Sequence, residues 1–190
     1  MVLAESRWKG LRAAGGQGGA APAGPTLAPI TMEEVVAAQA GWSNAIKTIS
    51  ATHKEKGDYV AAAGEAAGEL YGYGHHNVLF KPTKATEQQF RPTGADAMSY
   101  FVGKEAAATI GVDGYDEDAG FAINGGKGWS DVVFDNHQID LNGNTAIAMG
   151  NYYFTCATTG DKAKVEYTFG YKRCSDGKLR IFLHHSSVPY

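Results

Sequence analysis

Residues 164–188 read KVEYTFGYKRCSDGKLRIFLHHSSV. Val165, Tyr167, Phe169 and Tyr171 alternate with polar neighbours, the period of two expected of a strand with one buried face and one exposed face. Ser175-Asp176-Gly177-Lys178 breaks the pattern with turn residues, and LRIFL resumes it. Two strands joined by so short a turn run antiparallel. The same logic extends upstream. WSDVVFDNHQIDLNGNTAIAMGNYYFTCATT (129–159) turns at Asn142-Gly143-Asn144, and Gly160-Asp161-Lys162 makes the next turn. The C-terminal third is therefore predicted to be an antiparallel meander.

The preceding half is helical. Thr31-Met32-Glu33-Glu34 fits a capping box. Val35, Gln39, Trp42, Ile46, Ile49 and His53 then recur at helical spacing to about Lys56, where Gly57 stops the helix. Asp58 caps a second helix, YVAAAGEAAGELY, whose small residues suit close packing. GYGHHN (72–77) reads as a loop, NVLFKPT (77–83) as a short strand that Pro82 confines to an edge, and RPTGADAMSYFVG (91–103) as a short helix ending at Gly103. GVDGYDEDAG (111–120) is acidic and Gly-rich but lacks the twelve-residue calcium pattern, so a solvated loop is expected. Helices followed by a curved antiparallel sheet give an α+β fold: a cone, with a pocket between the long helix and the sheet.

A chain of 190 residues that is 44% hydrophobic can fill one core. The expectation is a Gly/Ala/Pro-rich leader over 1–30, whose opening MVLAESRWKG lacks the apolar stretch of a secretory signal, and one domain over 31–190. A net charge of −3 without a basic cluster argues against nucleic-acid binding. The apolar runs fall short of the roughly 20 residues that cross a bilayer. Cys156 and Cys174 fit neither a disulfide framework nor a zinc pattern, and are read as small buried residues.

The polar run His184-His185-Ser186-Ser187 after an apolar strand asks for an explanation. In an unbroken strand Leu179, Ile181, Leu183, His185 and Ser187 share one face, and Arg180, Phe182, His184, Ser186 and Val188 the other. Adjacent histidines on opposite faces do not ligate one metal. His185 and Ser187, two apart and following an apolar row, can act on one small ligand at the end of a pocket. Such a pair also occurs simply as a satisfied core histidine and a strand-end hydroxyl. His75 and His76 have no third ligand at a recognisable spacing.

LYGYGHHNVLFKPTKATEQQFRPTGADAMSYFVG (70–103) together with FLHHSSVPY (182–190) resembles the iota-class carbonic anhydrases. That class shares a superfamily with the calcium/calmodulin-dependent kinase II association domain and has the nuclear-transport-factor-2-like cone. The similarity spans about residues 31–190. Leu183 stands where the family motif often carries a first histidine. The resemblance implies reversible hydration of CO2 to bicarbonate in a pocket of Thr83, Tyr100, His185 and Ser187, with Thr86 and Tyr73 as neighbouring alternatives. His185 would be the proton acceptor or shuttle. Ser187 and Thr83 would position water or bind bicarbonate, and Tyr100 would donate to an oxygen. A metal-free site is expected, with a divalent ion such as manganese or zinc as the alternative. A non-catalytic association module of the same superfamily is the competing reading. A cone-fold isomerase or cyclase ranks last, since it would need an acidic base in the pocket. The expected assembly is a homodimer through a sheet face carrying Tyr152, Phe154 and Phe182. The expected location is an algal plastid, or the cytoplasm if the source is bacterial.

Overall fold

The computed structural model describes residues 27–190, so most of the leader expected over 1–30 lies outside the described residues. Helix α1 (Met32–Lys54) starts from the predicted box: the Glu34 amide donates to the Thr31 hydroxyl at 3.3 Å, and the Thr31 amide to the Glu34 carboxylate at 3.0 Å. Val35, Gln39, Trp42, Ile46 and Ile49 form its buried face. Asp58 caps α2 (Tyr59–Leu70), which buries Ala63 and Ala67. Strand β1 (Leu79–Lys81), helices α3 (Gly94–Val102) and α4 (Lys104–Ala108) and a 3-10 segment (Phe121–Gly126) lead to the sheet. Its long strands are β2 (Trp129–Asn142), β3 (Thr145–Cys156), β4 (Lys162–Arg173) and β5 (Leu179–Ser187).

The sheet order is β1-β5-β4-β3-β2. The meander of β2 to β5 is antiparallel as expected, and β1 adds itself parallel to β5, with Phe80 opposite His184 and Lys81 opposite His185. That edge pairing carries the chain after Lys81 toward the end of β5. Helix α1 lies on the inner face, where the Trp42 ring meets Phe134, Tyr152, Phe154 and Phe169. The expected α+β cone is thus the architecture observed.

Three expectations are corrected here. The first is the alternation along β5. Ile181 pairs with Tyr171 and Leu183 with Gly170, so Phe182 is an extra residue, a β-bulge. The bulge reverses the parity of everything after it. Ile181 faces inward, but so do His184 and Ser186, 3% and 1% exposed, while His185 is exposed. Gly170 makes the bulge possible: a Cβ there would lie 2.7 Å from the Phe182 ring and 2.9 Å from the Leu183 Cβ. The second correction concerns Tyr152 and Phe154, expected on an exposed sheet face and instead fully buried against α1. The acidic loop is also less solvated than expected, because Asp118 is buried. Cys156 and Cys174 are free and buried.

Candidate active site

His184 is enclosed by aromatic rings. Phe80 stacks on it at 4.6 Å, Phe169 meets it edge-on at 4.0 Å, and Trp42 lies at 5.7 Å. Its Nδ1 is 2.7 Å from the Tyr71 hydroxyl, which accepts a hydrogen bond from Trp42 Nε1 at 3.0 Å. With Trp42 donating to its oxygen, the Tyr71 hydroxyl is free to donate to Nδ1. In the tautomer that accepts this bond the neutral ring carries its N–H on Nε2, which lies 2.9 Å from the Ser186 hydroxyl. Tyr152 shares a hydrogen bond with Ser186 and lies 3.4 Å from His184 Nε2. The Thr83 hydroxyl lies beside the Tyr152 and Tyr100 hydroxyls and favours the ionised form of each. Tyr100 also accepts the Lys84 amide at 3.4 Å. One continuous line of polar groups therefore runs Trp42, Tyr71, His184, Ser186, Tyr152, Thr83, Tyr100.

Burial sets the protonation of this line. It pushes the His184 imidazole well below its usual 6.5, and the positive charge that His185 can carry adds to the effect. Burial likewise pushes the Tyr71, Tyr100 and Tyr152 phenols well above 10. At neutral pH the site is a set of uncharged donors and acceptors. Tyr100 belongs both to this line and to a cleft of about 270 Å³ that Lys84, Phe121 and Trp129 also line. Its ring stacks on Phe121 at 5.2 Å.

A second polar frame holds the chain that delivers Thr83. The Glu117 carboxylate accepts the amides of Thr86, Glu87 and Gln88 at 2.7, 3.0 and 2.8 Å, and the Thr86 hydroxyl at 2.9 Å. Partial burial opposes its ionisation, but these donors prevail and bring it down to about 2. Next to it, Asp118 pairs with the buried Arg91 at 2.8 Å and accepts from Ser99 at 2.5 Å. Arg91 covers the Tyr115 ring at 4.2 Å. Arg91, Asp118 and Glu117 anchor the loop 83–90 over the site.

Thr83 and Tyr100 are thus brought together as expected. His185 and Ser187 are not: His185 faces outward, and Ser187 donates to Glu166 at 2.9 Å on the sheet surface. The inward places belong to His184 and Ser186. Neither alternative joins the line either, since Thr86 bonds to Glu117 and the Tyr73 hydroxyl donates to the Arg91 carbonyl at 2.9 Å. Tyr71 and Tyr152 were missed. The available signal was Gly170, an isolated glycine in a strand, which often marks a bulge. Among the described residues no group of three or more His, Cys, Asp or Glu side chains is placed to hold a metal ion.

The family model described as "Metal-independent carbonic anhydrase" matches residues 33–188. A protein of that name from Nostoc sp. (strain PCC 7120) is 41% identical over 164 residues, covering 85% of this chain and 75% of that protein. The crystal structure of an iota-carbonic anhydrase from a cyanobacterium, complexed with bicarbonate, superposes with a TM-score of 0.76 at 38% identity, covering 90% of this chain and 98% of that one.

Proposed function

The chain belongs to the metal-independent carbonic anhydrases, and from that premise we propose that it hydrates CO2 reversibly at the buried line His184, Ser186, Tyr152, Thr83, Tyr100. The observation that carries this is the continuity of five uncharged polar side chains, buried among aromatic walls, up to a cleft. The family match favours an enzyme over an association module. The bicarbonate in the related cyanobacterial structure fits the same substrate class.

The reaction is H2O + CO2 → HCO3⁻ + H⁺. The apolar rings of Phe121 and Trp129, which line the cleft beside Tyr100, suit CO2, which has no dipole. A water held by Thr83 and Ser186 attacks the carbon. Charge grows on the CO2 oxygens, and the neutral phenols of Tyr100 and Tyr152 donate to them; fixed donors are most effective in a dry site. The water loses one proton into the hydroxyl line, whose members each accept one proton as they release another, and the cleft at Tyr100 returns it to solvent. His184, neutral with N–H on Nε2, fixes the direction in which Ser186 donates. It is a positioning group more than the resting base that was expected of its neighbour His185. The line needs no ion to hold its groups in place. Stopped-flow CO2 hydration after treatment with a strong chelator tests the proposal: activity should persist. Loss on chelation and recovery with one metal would overturn the metal-free reading.

The proposal includes a homodimer. Tyr152 and Phe154 are buried, so the exposed Val133, Ile147 and Met149 on the outer sheet face are the residues to carry it. It also retains an algal plastid or a bacterial cytoplasm as the location. The two carbonic anhydrases described above are cyanobacterial, and among the described residues no helix is long and apolar enough to cross a membrane.

A further inference from the structure

Strand β1 pairs with β5 over three residues only, and the last pair is Lys81 with His185. The chain then leaves the sheet at Pro82 and turns at Thr83 and Lys84. Thr83 thus reaches the hydroxyl line from β1, and Ser186 from β5, just beyond the point where the two strands stop pairing. The loop between returns to β1, because the Arg91 amide donates to the Phe80 carbonyl at 2.8 Å. Its middle is held by Glu117 through the amides of Thr86, Glu87 and Gln88. Its near end is tied by a side chain. The Lys81 ammonium donates to the Ser186 carbonyl at 3.1 Å, one residue past the last strand pair.

Three features set this bond apart from an incidental surface contact. The donor is charged, and hydrogen bonds from charged groups are the stronger kind. Lys81 is half-buried, and among the described residues it has no ion-pair partner. Glu166, opposite Ser187 on β4, is engaged by the Ser187 hydroxyl instead. The acceptor belongs to a residue of the hydroxyl line: Ser186 Oγ lies 2.9 Å from His184 Nε2 and shares a hydrogen bond with Tyr152. Holding the Ser186 carbonyl limits rotation of that residue's backbone, and with it the direction in which its short side chain points.

We propose that Lys81 is a positioning residue for CO2 hydration: its ammonium ties the end of β5 to the segment that delivers Thr83, and so sets the gap between the Thr83 and Ser186 hydroxyls in which the attacking water is held. This rests on the hydration reading above. Lys81 touches no reacting atom; its contribution is alignment, and a misplacement of about 1 Å in held reactants costs up to about 100-fold in rate. The loss falls on kcat, because the cleft that Phe121 and Trp129 line does not include Lys81.

The test combines stopped-flow CO2 hydration with NMR of the full chain carrying ¹⁵N-labelled histidine, His184→Gln serving to assign the His184 signals. Lys81→Met keeps a long side chain and removes the charge. It should lower kcat about tenfold and leave KM for CO2 unchanged. It should also shift the His184 Nε2 resonance, since that atom lies against the Ser186 hydroxyl. Lys81→Arg restores a cationic donor and should recover most of kcat and the resonance position. Leu79→Thr, at an exposed position of the same strand, should leave both as in the wild type. Lys81→Gln stands in if the Met variant fails to fold. Full kcat in Lys81→Met, an unmoved His184 resonance, or losses that Lys81→Arg does not restore would overturn the proposal. Equal losses in Leu79→Thr would do the same, as the mark of a general weakening of β1. If the wild type hydrates no CO2 while the His184 resonance still responds to Lys81→Met and recovers in Lys81→Arg, the tie to Ser186 stands and the hydration reading falls.

Discussion

His184 shows how much one residue's setting decides. As a free imidazole it titrates at an ordinary 6.5, but enclosed by Phe80, Phe169 and Trp42 it resists a proton. The unfolded chain takes that proton readily, so protonation favours unfolding. The contribution of the neutral ring to stability is complete above about pH 6.5 and is lost progressively as the pH falls below it. Urea unfolding of the wild type should therefore show a falling midpoint between about pH 7 and pH 5, and His184→Gln should flatten that slope. An unchanged slope would mean that the ring is not buried neutral. At this scale the sequence was half legible. The run HHSS marks the strand end that supplies His184 and Ser186 to the hydroxyl line, and Thr83 and Tyr100 stand at motif positions. Which histidine and which serine faced inward depended on a backbone irregularity, and side-chain identity alone does not encode it. Tyr71 reads only as the end of the second helix and Tyr152 as part of a dimer face, because a tyrosine shows its polar end only once its partner is known.

At the scale of the element, the bulge at Phe182 is the device that turns His184 and Ser186 inward. Without it His185 and Ser187 would follow Ile181 into the core. Gly170 and Phe182 are a matched pair: the absent Cβ of one is the space filled by the ring of the other. Gly170→Ala should cost about 1–3 kcal/mol through this overlap and lower CO2 hydration as well, because relief of the clash disturbs the register of His184. Adding Phe182→Ala in the same chain should recover part of both losses, since the Leu183 Cβ still crowds the site. No recovery would show that the bulge does not depend on this packing. The helices were more legible than the strands. Periodicity and caps mark a helix locally, as Thr31 and Asp58 did here. Strand parity after a bulge depends on the partner strand. The parallel seat of β1 on β5 was hidden for the same reason, since three residues carry no record of their neighbour.

For the whole molecule, the cone follows from α1 closing the inner face while the outer face stays open. That outer face presents Val133, Ile147 and Met149 to solvent. Exposed apolar residues on a rigid sheet suit a twofold contact with a second copy, so light scattering at micromolar concentration should give a dimer mass, and Met149→Lys should shift it toward the monomer. A monomer mass for the wild type would contradict this assembly. The architecture was legible in sequence because helix-then-meander order constrains it strongly. The buried frame of Arg91, Asp118 and Glu117 was not, because an acidic, glycine-rich segment looks solvated until its arginine is found elsewhere in the chain. The most direct test of the account is to compare CO2 hydration by Ser186→Ala and Ser187→Ala in stopped flow. Removal of a preorganised hydroxyl from the reaction site should cost about a hundredfold in kcat/KM for Ser186→Ala, while Ser187→Ala stays close to the wild type. The reverse order would place the chemistry on the outward pair and contradict the inward hydroxyl line.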